Sequence, residues 1–143
     1  MNLQECFDTG LLRKEKPDEK KALNSLETAE TYIVKAHHTL KSRDFDLTIF
    51  CAYTSMFHAS RALLFKNGIK ERSHVCLIEY VRQNYPELFD DMNLLDTYRK
   101  SRHTAIYALD FIITEEQAKE AIKDAKQMLE KIRKYFFPKK NKS

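Results

Sequence analysis

Residues 52–81 read AYTSMFHASRALLFKNGIKERSHVCLIEYV, and the punctuation of this stretch decides the fold. Tyr53, Met56, Phe57 and Leu64, with Leu47 and Phe50 upstream, recur at three- and four-residue steps, the period of a helix, and their apolar coverage is broad enough for a central one. Gly68 is the natural stop, because a glycine takes up the left-handed conformation that ends a helix. Ile69 to Arg72 reads as a polar connection. Ser73 then has the hydroxyl of an N-cap, opening a short helix that carries Val75, Leu77, Ile78 and Val81 and closes at Pro86.

The same period extends outward in both directions. On the N-terminal side, Pro17 and Asp18 open a segment in which Leu23, Leu26, Ala29, Ile33, His37 and Leu40 share one face, predicting a helix over about 17–42 before a break at Ser42-Arg43-Asp44. On the C-terminal side, a helix starts near Asp90 or Asp91 and runs through Leu94, Leu95, Tyr98, Arg102 and Ile106 into the irregular stretch YALDFII, 107–113. Thr114-Glu-Glu-Gln117 has the spacing of a capping box, so a last helix carries Ala118, Ala121, Ile122, Ala125, Leu129, Ile132 and Phe136 until Pro138. With only 2 glycines and 3 prolines, the chain lacks the turns that a sandwich, barrel or βαβ series needs. The expected fold is all-α, an antiparallel up-and-down four-helix bundle with an additional short helix. Its expected divisions are a lead-in segment over 1–16, the bundle over 17–137 and a basic flexible tail over 138–143.

At 143 residues the chain is long enough to bury a single core, and 43% hydrophobic with 32% charged residues is the composition of a folded protein. Cys6, Cys51 and Cys76 are odd in number and contain no CxxC pair, which suggests neither a disulfide framework nor a zinc site and suits a reducing cytoplasm. No signal peptide or membrane span is expected. HExxH, Walker, GxSxG and GxGxxG motifs are all missing, so zinc protease, nucleotide hydrolase, serine hydrolase and dinucleotide enzyme lack their minimum apparatus. No metal or cofactor is expected. The net charge of +4 is unevenly spread, with Lys131, Arg133, Lys134, Lys139, Lys140 and Lys142 crowded at the C-terminal end. That tail could touch phosphate, but a helix C-terminus that favours cations, followed by a solvated tail, explains the run better than a dedicated binding site does.

The densest polar cluster is Tyr98-Arg99-Lys100-Ser101-Arg102-His103-Thr104-Ala105-Ile106-Tyr107. Residues three and four apart share a helix face, so Arg99, Arg102, His103 and Ile106 are neighbours, two guanidinium groups and an imidazole on an apolar flank. Such arginines want a carboxylate, a phosphate or main-chain oxygens. Arg99, Lys100 and Arg102 are therefore candidate nucleotide or RNA contacts, and pairing with Asp90, Asp91 or Asp96 as an interface latch is the structural alternative.

The run over 52–81, the RxxxxY spacing from Arg102 to Tyr107, and ITEEQAKEAIKDAKQMLEKI together resemble the small stand-alone HEPN proteins of archaea and bacteria, over nearly the whole chain from Leu12 to Phe136. The resemblance implies a helical bundle that dimerises so that the RxxxxH motifs of two copies form one cleft. In active members that cleft cuts RNA without a metal. Arg102, His103, Tyr107 and Arg99 are the catalytic candidates that it implies, and Tyr53, His58, Ser73 and His74 stand as structural motif residues. Here Tyr107 holds the position five after Arg102, and a phenol with a pKa of about 10 is a poor base at neutral pH. His103 follows Arg99 by four. Two functions remain open: a metal-independent endoribonuclease of the toxin type, partnered by a minimal nucleotidyltransferase, or a degenerate homodimer that binds nucleotide, RNA or the nucleotidyltransferase without cutting.

The remaining histidines have simpler readings. His37 and His38 fit core-flank and surface positions, His58 a hydrogen-bonded core position, and His74 the ordering of a loop. Glu71-x-x-His74 matches half of a di-iron motif, but the second copy is missing.

Overall fold

The structure is a computed structural model that describes residues 1–107 and 112–138, with the side chains of 102–107 left aside. The described residues are mostly helical. In chain order they form α1 (Leu3–Asp8), β1 (Leu12–Lys14), α2 (Glu19–Lys41), α3 (Phe45–Asn67), β2 (Ile69–Glu71), α4 (His74–Asn84), a 3-10 turn (Pro86–Leu88), α5 (Phe89–Tyr107) and α6 (Glu115–Arg133). Among the described residues no helix is long and apolar enough to cross a membrane.

The helix boundaries follow from local chemistry. Asp18, Asp44, Ser73 and Thr114 each turn a side-chain oxygen to a free backbone N–H at a helix start, at Lys21, Leu47, Cys76 and Gln117 respectively. At Thr114 the box is complete, because the Gln117 side chain accepts the Thr114 N–H at 2.9 Å while the Gln117 N–H donates back at 3.1 Å. Gly68 ends α3 at φ +72°, where its N–H reaches Leu64 and Phe65 carbonyls. A methyl group there would sit 2.4 Å from the Glu15 carbonyl oxygen, so the position demands glycine twice over, for conformation and for space.

The core is built on α3, whose Met56, Leu63 and Leu64 are fully buried among Leu77, Ile78, Met92, Leu95, Met128 and Ile132 from three other helices. Each such side chain contributes about 2 kcal/mol through burial. The α2–α3 contact is lined by small residues, Ala22, Ala29 and Ala36 against Ala52, Ala59 and Ala62, all without exposed surface. The backbones are also tied by hydroxyls: Ser25 donates to the His58 carbonyl and Ser55 to the Ala29 carbonyl, both at 2.7 Å. Helix α6 packs on α3 and α2, and α5 on α3 and α4. Leu23, Leu47 and Val75, expected on the inner faces, are 38%, 43% and 41% exposed. They sit at the margins of their apolar stripes, near helix starts where neighbouring elements no longer cover them.

Three expectations are corrected by long-range contacts. Ile69–Glu71, read as a polar connection, is a strand paired antiparallel with β1 in the register Leu12↔Glu71, Arg13↔Lys70, Lys14↔Ile69. The lead-in segment carries α1 and β1, with Cys6 and Leu12 buried in the main core. Cys6 and Cys76, read as free thiols, form a disulfide between α1 and α4 across 70 residues, leaving Cys51 as the free, buried cysteine. The β1–β2 pairing is what carries α1 to α4, and no local spacing announces it.

Candidate functional site

The polar face of α5 begins with an ion-pair triad. Asp96 accepts Arg99 Nε at 3.0 Å on one carboxylate oxygen and holds Lys100 Nζ at 3.2 Å on the other. Burial opposes ionisation of Asp96, but the hydrogen bonds from Arg99 and Lys100 outweigh it and hold the carboxyl below its usual pKa. Two cations share one anion, so the triad keeps a positive surplus. The Lys100 side chain is 68% exposed, and its pairing therefore counts for less than that of Arg99 at 31%.

On the side facing α6, the Tyr98 hydroxyl donates to Asp124 at 2.6 Å. Burial, followed by that carboxylate, pushes the phenol well above its ordinary pKa, so Tyr98 is a fixed donor and no acid. Ile49, Leu94, Tyr98, Ile113 and Asp124 help to line a cavity of about 440 Å³ between α5 and α6.

Helix α5 continues without a break to Tyr107. Its backbone thus places positions 99, 102, 103 and 106 along one side. The side chains of Arg102, His103 and Tyr107 lie outside the described residues, as do residues 108–111 of the YALDFII stretch.

A second cluster gathers the other motif residues where α3 meets α4. The His74 ring stacks on Phe57 with centroids 3.9 Å apart, and its Nδ1 is hydrogen-bonded to the Tyr53 hydroxyl at 2.5 Å. Arg61 lies over the Phe57 ring at 4.6 Å and gives its Nε to Glu71 at 2.6 Å. Burial raises the pKa of Glu71, an effect that the Arg61 charge opposes. His58 is half-buried, its ring stacked on Tyr32 at 5.8 Å. Burial, then the Arg61 charge, lowers its pKa. Tyr53, His58 and His74 are therefore brought into one aromatic cluster, and Ser73 caps the helix that starts beneath it. Glu71 and His74, the half motif for iron, are occupied by Arg61 and Tyr53.

Among the candidate anions for the arginines, Asp96 takes Arg99, whereas Asp91 turns to Lys131 of α6 at 3.2 Å. His37 is exposed on α2, where partial burial and then Lys126 lower its pKa. The Tyr98–Asp124 and Arg61–Glu71 pairs carry no sequence signal, since each joins residues on different elements.

The sequence that forms these helices matches the family model of the HEPN domain over residues 22–135. The chain belongs to the HEPN domain family. The match takes in α2 to α6, and with them the whole polar face of α5, while α1 and β1 precede it. No curated protein sequence matches the chain significantly. HEPN domains are often linked to ribonuclease and toxin functions, which makes the cationic side of α5 the first place to look for RNA chemistry.

Proposed function

We propose that this HEPN protein acts on RNA as a metal-independent endoribonuclease, a toxin-like component paired with a nucleotidyltransferase, working as a homodimer. The observation that supports this reading is the unbroken course of α5 through residue 107, which aligns the Arg99, Arg102 and His103 positions next to the Asp96 triad. On RNA, His103 would take the proton of a 2′-hydroxyl as its oxygen attacks the neighbouring phosphorus. The bond from phosphorus to the 5′ oxygen then breaks, and that oxygen takes a proton from solvent. Arg102 and Arg99 stabilise the charge that builds on the phosphorane-like transition state. A second copy would supply the facing half of the cleft.

A second reading, binding without cleavage, is favoured by Asp96 itself. Arg99 and Lys100 are already engaged, so they must leave Asp96 or share it before they can serve a phosphate. In that reading the homodimer holds nucleotide or RNA, or docks the nucleotidyltransferase.

The test is cleavage of a mixed pool of labelled RNAs by the full chain in EDTA, with Arg102→Ala prepared identically. Cutting by the wild type, reduced on the order of 10²-fold or more in the variant, supports the first reading. RNA bound but intact with both proteins supports the second.

A further inference from the structure

The β1–β2 ribbon presents a surface that the site on α5 does not account for. Its register sets Arg13 directly opposite Lys70, and the Arg72 N–H donates to the Leu11 carbonyl at 2.8 Å, which places Arg72 on the same outward face by strand alternation. Like charges facing each other across a strand pair oppose pairing, so this arrangement works against the ribbon's own stability. All three side chains are exposed, and none is in a salt bridge with another described residue. Glu71, the acid adjoining Lys70, points to the opposite face and is held by Arg61. The ribbon is also firmly seated: the Glu15 N–H donates to the Gly68 carbonyl at 2.8 Å and the Asp18 N–H to the Phe65 carbonyl at 2.9 Å.

Beside it opens a cavity of about 280 Å³ lined by Glu15, Lys21, Arg61, Phe65, Ile69 and Lys70, together with Glu71. Phe65 is half-buried, and the Lys21 ammonium lies 5.9 Å from its ring centroid. Of the cations that border the ring, Arg61 is held by Glu71, whereas Lys21 and Lys70 are in no salt bridge with another described residue. An aromatic ring beside such cations is the combination by which proteins hold single-stranded nucleic acid, with a base on the ring and phosphates on the cations.

We infer that the β1–β2 ribbon and the Phe65 recess form a second contact site for single-stranded RNA, with a base against Phe65 and the backbone along Arg13, Lys70 and Arg72. This site rests on the reading of the protein as one that acts on RNA. It would hold the strand while α5 meets a different part of it.

Fluorescence anisotropy of a labelled single-stranded RNA in EDTA, over salt from about 50 to 200 mM, tests the site. Four proteins are compared: wild type, Arg13→Gln/Lys70→Gln/Arg72→Gln, Phe65→Leu and Lys70→Glu. Loss of three phosphate contacts should make the slope of log affinity against log salt shallower by about 2. Phe65→Leu should weaken binding on the order of ten-fold with the slope unchanged, because stacking releases no counterions. Lys70→Glu should weaken binding yet leave the melting temperature equal or higher, which a merely structural role for Lys70 does not produce. Wild-type affinity and slope in the triple variant overturn the inference, as does wild-type protein that binds no RNA. Cleavage on the same samples separates the two ideas: cutting with an unaffected triple variant removes the ribbon site alone, whereas binding through the ribbon without cutting removes only the nuclease reading.

Discussion

Breaking the Cys6–Cys76 bond should cost a large share of the stability of this chain. The two cysteines are 70 residues apart, so the bond closes a long loop in the unfolded chain and removes much of its freedom. The loop-entropy relation gives about 4 kcal/mol for that separation at 25 °C. A chain of 143 residues should then melt roughly 12–16 °C lower when the bond is absent. The assay is calorimetry and urea unfolding of the wild type with and without reductant, beside Cys6→Ser/Cys76→Ser. Reductant should destabilise the wild type to about the level of the double variant and leave that variant unchanged. The urea dependence should also steepen on reduction, because the open chain exposes more surface when it unfolds. A loss below about 1 kcal/mol would refute the reasoning and show that α1 and β1 are held by their buried contacts alone.

Two other perturbations follow from the geometry. Gly68→Ala should lose roughly 3 kcal/mol in urea unfolding, from a left-handed alanine, the collision with the Glu15 carbonyl and the strained Glu15–Gly68 hydrogen bond. Gly10→Ala, at φ +74° with nothing within 4 Å, should lose only about 1 kcal/mol, and equal losses at the two sites would refute the steric part. His58 has a lowered folded pKa, so the unfolded chain binds the proton better and stability should fall as pH drops below the usual value of 6.5, until the folded imidazole is also protonated. His58→Asn should fall less steeply over that window, and an unchanged pH profile of melting temperature would exclude His58 as a source.

What could be read from the chain was local. Gly68, Ser73 and Thr114-to-Gln117 mark element ends through groups at most a few residues apart, and the structure places those ends where the residues indicate. The helical period found α2, α3 and α6, because burial on one side of a helix repeats along the sequence itself. Strands of three residues have too few alternations to show a period, and Leu12 meets Glu71 only once the intervening helices have folded. The same holds for Cys6 with Cys76, whereas Arg61 meets Glu71 where the chain turns from α3 into β2 after Gly68. In the site, the Arg99 partner lies three residues away on the same helix and was among the candidate carboxylates. Tyr98 and Asp124 meet across the cavity between α5 and α6, a pairing that no spacing rule reaches. The gathering of Tyr53, His58 and His74 was anticipated only as a motif; its physical content, a stacked ring and a phenol hydrogen bond, belongs to the α3–α4 contact.

The placement of Cys51 bears on how the protein can be made in pure form. Three thiols permit three pairings, and exchange among them needs a thiolate that can reach a sulfur. In the folded chain Cys51 is 4% exposed, belongs to the small cluster with Ala36 and Ile122, and has its pKa raised by burial. The native bond is thereby insulated from its own third cysteine. Nothing protects it while the chain is unfolded, where Cys51 competes on equal terms for either partner. Preparations recovered from denaturant should therefore contain mispaired monomers and disulfide-linked dimers unless a thiol–disulfide buffer is present, whereas protein never unfolded should keep one uniform pairing.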